Sequence, residues 1–130
     1  MNKSRVLVVD ANPVTRELMV QYLDNLEVNY YAVISGEESI DLSEFFDLVL
    51  IDSDLPGISG FETATQIRQS EKEKGVRAVP LIATTIHDNR RECIAAGMND
   101  HFLKPVAQGD LQKLLARWLL EQPQKLRLLG

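Results

Sequence analysis

Along the chain, short uninterrupted apolar runs alternate with longer stretches in which apolar residues recur every three or four positions. "RVLVVD" is a continuous β-branched run, the pattern of a strand buried on both faces. Asn12 and Pro13 follow as helix cap and first helical residue. Val14, Leu18, Tyr22 and Leu26 then fall at helical spacing. "VNYYAVI" is a weaker strand, and Ser35, with Glu38 three residues on as its capping-box partner, opens a short helix. "DLVLID" is the third strand, and "GFETATQIRQSEKEKG" a helix with a charged end, stopped by Gly75. "AVPLIATT" is the fourth strand, its proline near the beginning where one is tolerated. "DNRRECIAAG" is a short helix, capped by Asp88 and ended by Gly97, and "DHFLK" a brief fifth strand. "QGDLQKLLARWLLEQ" is an amphipathic helix with Leu111, Leu114, Leu115, Trp118 and Leu119 on one stripe.

Five strands and five helices in strict alternation predict a parallel sheet covered by helices on both faces. The C-terminal ends of parallel strands share one edge, and in open α/β sheets ligands bind there. A chain of 130 residues suits one domain, expected over 1–122, with 123–130 as a tail or the start of a linker. Composition changes this picture little. A net charge of −5 argues against nonspecific contact with nucleic acid or anionic membranes. No apolar run approaches the roughly 20 residues of a membrane span, and "MNKSRVLVVD" lacks the apolar stretch of a signal peptide. The single cysteine, Cys93, forms no internal disulfide and fits a small residue on a helix face in a reducing cytoplasm.

Candidate chemistry gathers at the shared edge. The first strand ends at Asp10, the third at Asp52, the fourth at Thr84 and Thr85, and the fifth at Lys104 before Pro105. Singly, each has a plain reading: an acid as a turn former, a threonine as a good strand residue, a lysine as surface. The fold brings all of them to one rim. Two carboxylates attract a hard dication such as Mg²⁺. A carboxylate is also a nucleophile toward phosphorus, and phosphoryl transfer needs positioning and charge neutralisation above all. Adjacent strand residues point to opposite faces, so only one of Thr84 and Thr85 looks into such a site.

The motifs "VLVVDAN", "DLVLIDSDLPGISGFE", "PLIATT" and "GMNDHFLKPV" resemble the receiver domain of two-component response regulators, over about Lys3 to Leu120. The last of them looks especially like receivers of hybrid histidine kinases. The resemblance implies an α/β, flavodoxin-like, doubly wound five-stranded parallel sheet of order 2-1-3-4-5 with five helices. It implies a phosphorelay function in which Asp52 accepts a phosphoryl group from phosphohistidine on a histidine kinase or histidine phosphotransfer domain. Lys104 would contact the phosphate. The spacing from Pro80 selects Thr85 as the switch hydroxyl, and His101 takes the switch-aromatic position. Mg²⁺ would be held by Asp10, Asp52 and the backbone carbonyl of Asp54, and the Lys104–Pro105 peptide bond would be cis. Such a domain is a signalling module that drives a downstream output domain or protein, not an enzyme beyond its own phosphorylation and dephosphorylation.

Three positions depart from the family pattern. Ala11 stands where receivers carry a second acid, which should weaken Mg²⁺ binding; the Asp54 side chain is a candidate replacement, against its plainer role in the turn "SDLPG". Ile86 follows the switch threonine where Ala or Gly is usual, and should crowd the approach to Asp52 unless it folds back on the next helix. His101 replaces Tyr or Phe, while His87 reads as loop surface. Two alternatives stay open: a degenerate receiver acting as a phosphorylation-independent interaction module, and a haloacid-dehalogenase-type phosphatase using Asp52 and Asp54 of "LVLIDSD".

Overall fold

The computed structural model describes residues 4–120. The expected tail at 123–130 and the boundary at 122 lie outside the described residues. Five strands, β1 (Arg5–Val9), β2 (Asn29–Val33), β3 (Leu48–Asp52), β4 (Leu81–Thr85) and β5 (Asp100–Leu103), form one sheet of order β2-β1-β3-β4-β5. All pairings are parallel. The helices are α1 (Pro13–Asn25), α2 (Gly36–Leu42), α3 (Gly60–Lys74), α4 (Arg90–Ala95) and α5 (Gln108–Leu120), with one 3-10 turn at Ser43–Phe45 that sequence pattern did not indicate.

Period-two alternation divides the core in two. Leu7, Val9, Val49, Ile51, Leu81 and Ala83 pack on one face with Ala64, Ile67 and Cys93. Val6, Val8, Leu48, Leu50 and Ile82 pack on the other with Met19 and Leu23 of α1 and Leu111, Leu114, Leu115 and Leu119 of α5. The central strands β1 and β3 are therefore apolar at nearly every position, as burial on both faces requires, and β4 is buried throughout, its two threonines included. The edge strands β2 and β5 are only partly buried, which is why their sequences carry the weaker signal.

The expected caps form at Asn12, whose side chain accepts from the Val14 and Thr15 N–H groups, and at Ser35 for α2. Gly75 ends α3 in the left-handed conformation. One expectation fails. The cap of α4 is Asn89, without a side-chain bond, and not Asp88. On α1 the buried residues are Met19 and Leu23; Val14 is 75% exposed and Leu18 38%, while Tyr22 and Leu26 pack partly against the core. A strict four-residue stripe drifts by about 40° per step around a 3.6-residue helix, so its N-terminal members leave the face that meets the sheet.

Register then positions the rim. Val9 is level with Ile51, so Asp10 lies level with Asp52 on the neighbouring strand. Asp52 pairs with Thr84. The Lys104 N–H donates to the Thr85 carbonyl, 2.8 Å, which brings the Lys104 stem beside the same edge. Gly60 opens α3 against this edge; a Cβ there would collide with the Asp52 carbonyl oxygen and the Ser53 Cα.

Candidate phosphoacceptor site

Asp10 and Asp52 are 3% and 6% exposed, and Lys104 spans them. Its Nζ stands 3.1 Å from Asp52 Oδ2 and 3.5 Å from Asp10 Oδ2. The other Asp52 oxygen, Oδ1, accepts the Asp54 N–H at 2.9 Å. Asp10 Oδ1 accepts the Asn12 N–H at 2.9 Å, and its Oδ2 accepts the Thr15 hydroxyl at 2.6 Å. The peptide bond between Lys104 and Pro105 is cis, as expected.

Burial pushes the Asp52 carboxyl above its ordinary value, and the nearby Asp10 charge adds to this. The Asp54 N–H and the Lys104 ammonium pull the other way without cancelling it. A carboxyl raised by folding contributes its stability below its unfolded pKa, and that stability is lost as pH rises through the folded value. Asp52→Asn, which removes the charge and keeps the shape, is therefore expected to raise the melting temperature at neutral pH. The gain should shrink toward zero in acid, as thermal melts across a pH series would show; an equal or lower melting temperature at neutral pH would contradict it.

The remaining candidates stand around this trio in different ways. Thr85 is fully buried, but its Oγ1 accepts from the Ser53 hydroxyl at 2.9 Å and from the His87 N–H at 3.0 Å. Its hydroxyl is thus engaged beside the trio rather than with it. The Asp54 carboxylate, the candidate replacement ligand, is paired with His87 Nε2 at 3.2 Å, both side chains more than half exposed. Ala11 packs against the apolar cluster on the α2–α4 face. Ile86 is 67% exposed, so it stands in solvent at the rim and does not fold back on α4. His101 lies on β5, with its Nε2 buried and unpartnered among the described residues. Sequence reasoning missed Thr15 and Ser53. Thr15 carried one signal, its place three residues after the cap Asn12, where a side chain reaches back over the first turn.

The donor set fits a hard cation thinly. Asp10, Asp52 and the Asp54 carbonyl supply oxygen, but each carboxylate oxygen already accepts at least one protein donor. Among the described residues, no group of three or more acidic, histidine or cysteine side chains is placed to hold a metal. Mg²⁺ keeps several waters and is commonly held by one or two carboxylates, so two acids remain a workable, weak set. Among the described residues no helix is long and apolar enough to cross a membrane.

Comparison with known proteins places this geometry. The chain is 32% identical over 119 residues to the sensor protein GacS of Pseudomonas syringae pv. syringae, covering 88% of this chain and 13% of GacS. It therefore spans a small part of that relative. It is similar to the receiver domain of the sensor histidine kinase PA1611 of Pseudomonas aeruginosa, solved with a magnesium ion coordinated in its active-site cleft. That match has a TM-score of 0.79 at 32% identity, covering 89% of this chain and 97% of that one. A chain in the Saccharomyces cerevisiae co-crystal of the phosphotransfer protein Ypd1 with the receiver domain of Ssk1 superposes with a TM-score of 0.83 at 29% identity, covering 90% of this chain and 89% of that one. Residues 6–116 match the family described as response regulator receiver domain, and with Asp10, Asp52 and Lys104 converging at the sheet edge, the chain belongs to that family.

Proposed function

We propose that this receiver takes a phosphoryl group from phosphohistidine on a histidine kinase or histidine phosphotransfer domain onto Asp52, in a cytoplasmic phosphorelay. The observation that carries the reading is the ion-paired trio: a buried nucleophilic carboxylate with Lys104 on one oxygen and a backbone N–H on the other. Those two donors orient Asp52 for in-line attack, and Lys104 is placed to follow the charge onto the phosphoryl oxygens. In the transfer, the histidine N–P bond breaks as an Asp52 O–P bond forms, and the imidazole leaves neutral after taking a proton. Asp10, Asp52 and the Asp54 carbonyl would hold Mg²⁺, which when bound neutralises phosphoryl charge; with Ala11 apolar, its affinity is lowered.

Thr85 and His101 are read as the switch pair. Thr85 Oγ1 accepts from Ser53 and from the His87 N–H, which leaves its own hydroxyl proton to donate to a phosphoryl oxygen. That contact would bias a two-state surface formed by α4, β5 and α5 toward a downstream output domain or protein. Exposed Ile86 at the rim slows access to Asp52.

The test is intact-mass spectrometry after acetyl phosphate with Mg²⁺. One phosphoryl group should appear on the wild type and none on Asp52→Ala; an unmodified wild type under saturating donor would sink the reading. One observation favours a second reading, a phosphorylation-independent interaction module: Ala11 packs into the apolar cluster, where the family usually places an acid. The phosphatase alternative would use Asp54 as its acid, and that carboxylate is paired with His87 at the surface.

A further inference from the structure

We propose that Thr15 is a positioning residue of the acidic pocket, holding Asp10 in the one rotamer that serves both Lys104 and a divalent cation. The inference deepens the phosphoacceptor reading and rests on it for the role of Asp10.

The hydroxyl of Thr15 has one proton to give. Two acceptors are within reach: Asp10 Oδ2 at 2.6 Å and the Asn12 carbonyl at 3.4 Å. The shorter contact falls in the range of a charge-assisted O–H···O⁻ bond, so the proton lies toward Asp10. The helix cap sets up this reach. With Asn12 as cap and Pro13 as first helical residue, Thr15 is the third residue of α1 and projects back toward the end of β1. Its β-branch stiffens χ1, so the hydroxyl is delivered in a fixed direction.

Asp10 needs that direction. Oδ1 is tied to the Asn12 N–H, but the Lys104 contact at Oδ2 is the longer arm of the ion pair, at 3.5 Å against 3.1 Å for Asp52. A small rotation of the carboxylate would leave Lys104 on Asp52 alone. Ala11 offers no second carboxylate to take over. The rotamer of one acid therefore decides how much oxygen ligation the first strand contributes, and Thr15 is the side chain that holds it. Removing a hydrogen-bond partner from a ligating group weakens metal binding by about 10- to 100-fold in known sites.

The experiment is a Mg²⁺ titration of the full chain, followed by the backbone amide shifts of Asp10, Asp52 and Lys104. Thr15→Val keeps the branch and volume and removes the hydroxyl; Thr15→Ser keeps the hydroxyl; Thr15→Ala is the second deletion, should valine fold poorly. The deletions are expected to weaken Mg²⁺ about tenfold, and Thr15→Ser to stay near wild type. Three results overturn the proposal: a deletion variant that binds as wild type does, a lowered melting temperature with no change in affinity, or a wild type that binds no Mg²⁺. Phosphoryl uptake is measured in parallel. A wild type that shows the Thr15 effect on Mg²⁺ yet takes up no phosphoryl group refutes the phosphoacceptor reading and leaves the role of Thr15 standing.

Discussion

Arg68→Ala is expected to cost about 3 kcal/mol of folding stability and to lower the melting temperature by roughly 10–15 °C. Arg68 joins three parts of the fold. Its Nε donates to the Gly97 carbonyl at 2.9 Å and its Nη2 to Asn99 Oδ1 at 2.9 Å. Its Nη1 donates to Glu71 Oε1 and to the Val79 carbonyl, both at 2.8 Å. The acceptors are themselves committed: Glu71 Oε2 takes the Val79 N–H and Asn99 Oδ1 takes the Leu81 N–H, each at 2.8 Å. One guanidinium thus ties α3 to the start of β4 and to the turn before β5. Truncation would strand the Glu71 carboxylate, whose side chain is 7% exposed, with a single N–H for company. Breaking a buried pair from one side is costly because the remaining charge stays desolvated. Arg68→Lys should recover only part of the loss, because an ammonium cannot reproduce the planar fork. Thermal and urea melts check this, and a melting temperature within a degree or so of wild type for Arg68→Ala would refute it. The hub sits at the N-terminal edge of β4, away from the acidic pocket, so phosphoryl uptake well below the melting temperature should be unchanged.

Lys104→Met is the second large effect, and it should depend on pH. The substitution leaves two buried carboxylates on adjacent strands without their shared counter-charge. At neutral pH the expected loss is about 2–3 kcal/mol. Lys104 is among the groups that hold the Asp52 carboxyl down against burial, so removing it raises that carboxyl further. With the folded value raised, protonation relieves the cost, and the stability lost is restored as pH falls. The deficit relative to wild type should shrink in acid and widen toward neutrality. Adding Asp52→Asn to Lys104→Met should close most of the gap at neutral pH. Melting temperatures of the four proteins over a pH series decide the matter; a deficit that stays constant from acid to neutral would mean the Asp52 carboxylate is not its source.

Much of this protein was legible before its structure. The β-branched runs marked β1, β3 and β4 because strands buried on both faces need no alternation. Asn12, Ser35 and Gly75 marked helix ends because capping is a local matter of one side chain and its nearest backbone groups. Asp10, Asp52 and Lys104 were legible as a group because parallel strands send their C-terminal ends to one edge whatever the details of packing. Where local signals were thin, the reading slipped. Asp88 and Asn89 are both competent caps, and nothing in their order says which one the chain will use.

What sequence by itself determined was the order and kind of the elements, the apolar faces of the sheet, and the membership of the acidic rim. All three follow from patterns that repeat within one element or from the direction in which strands run. Tertiary structure alone decided which side of α1 meets the core, that Thr15 reaches Asp10, that Thr85 is engaged by Ser53, that Asp54 turns to His87, and that Arg68 spans three segments. Periodicity reports that residues share a face but not the angle at which the helix lies on its sheet. A hydrogen bond between distant segments depends on register and rotamer together, and no one-dimensional pattern carries both.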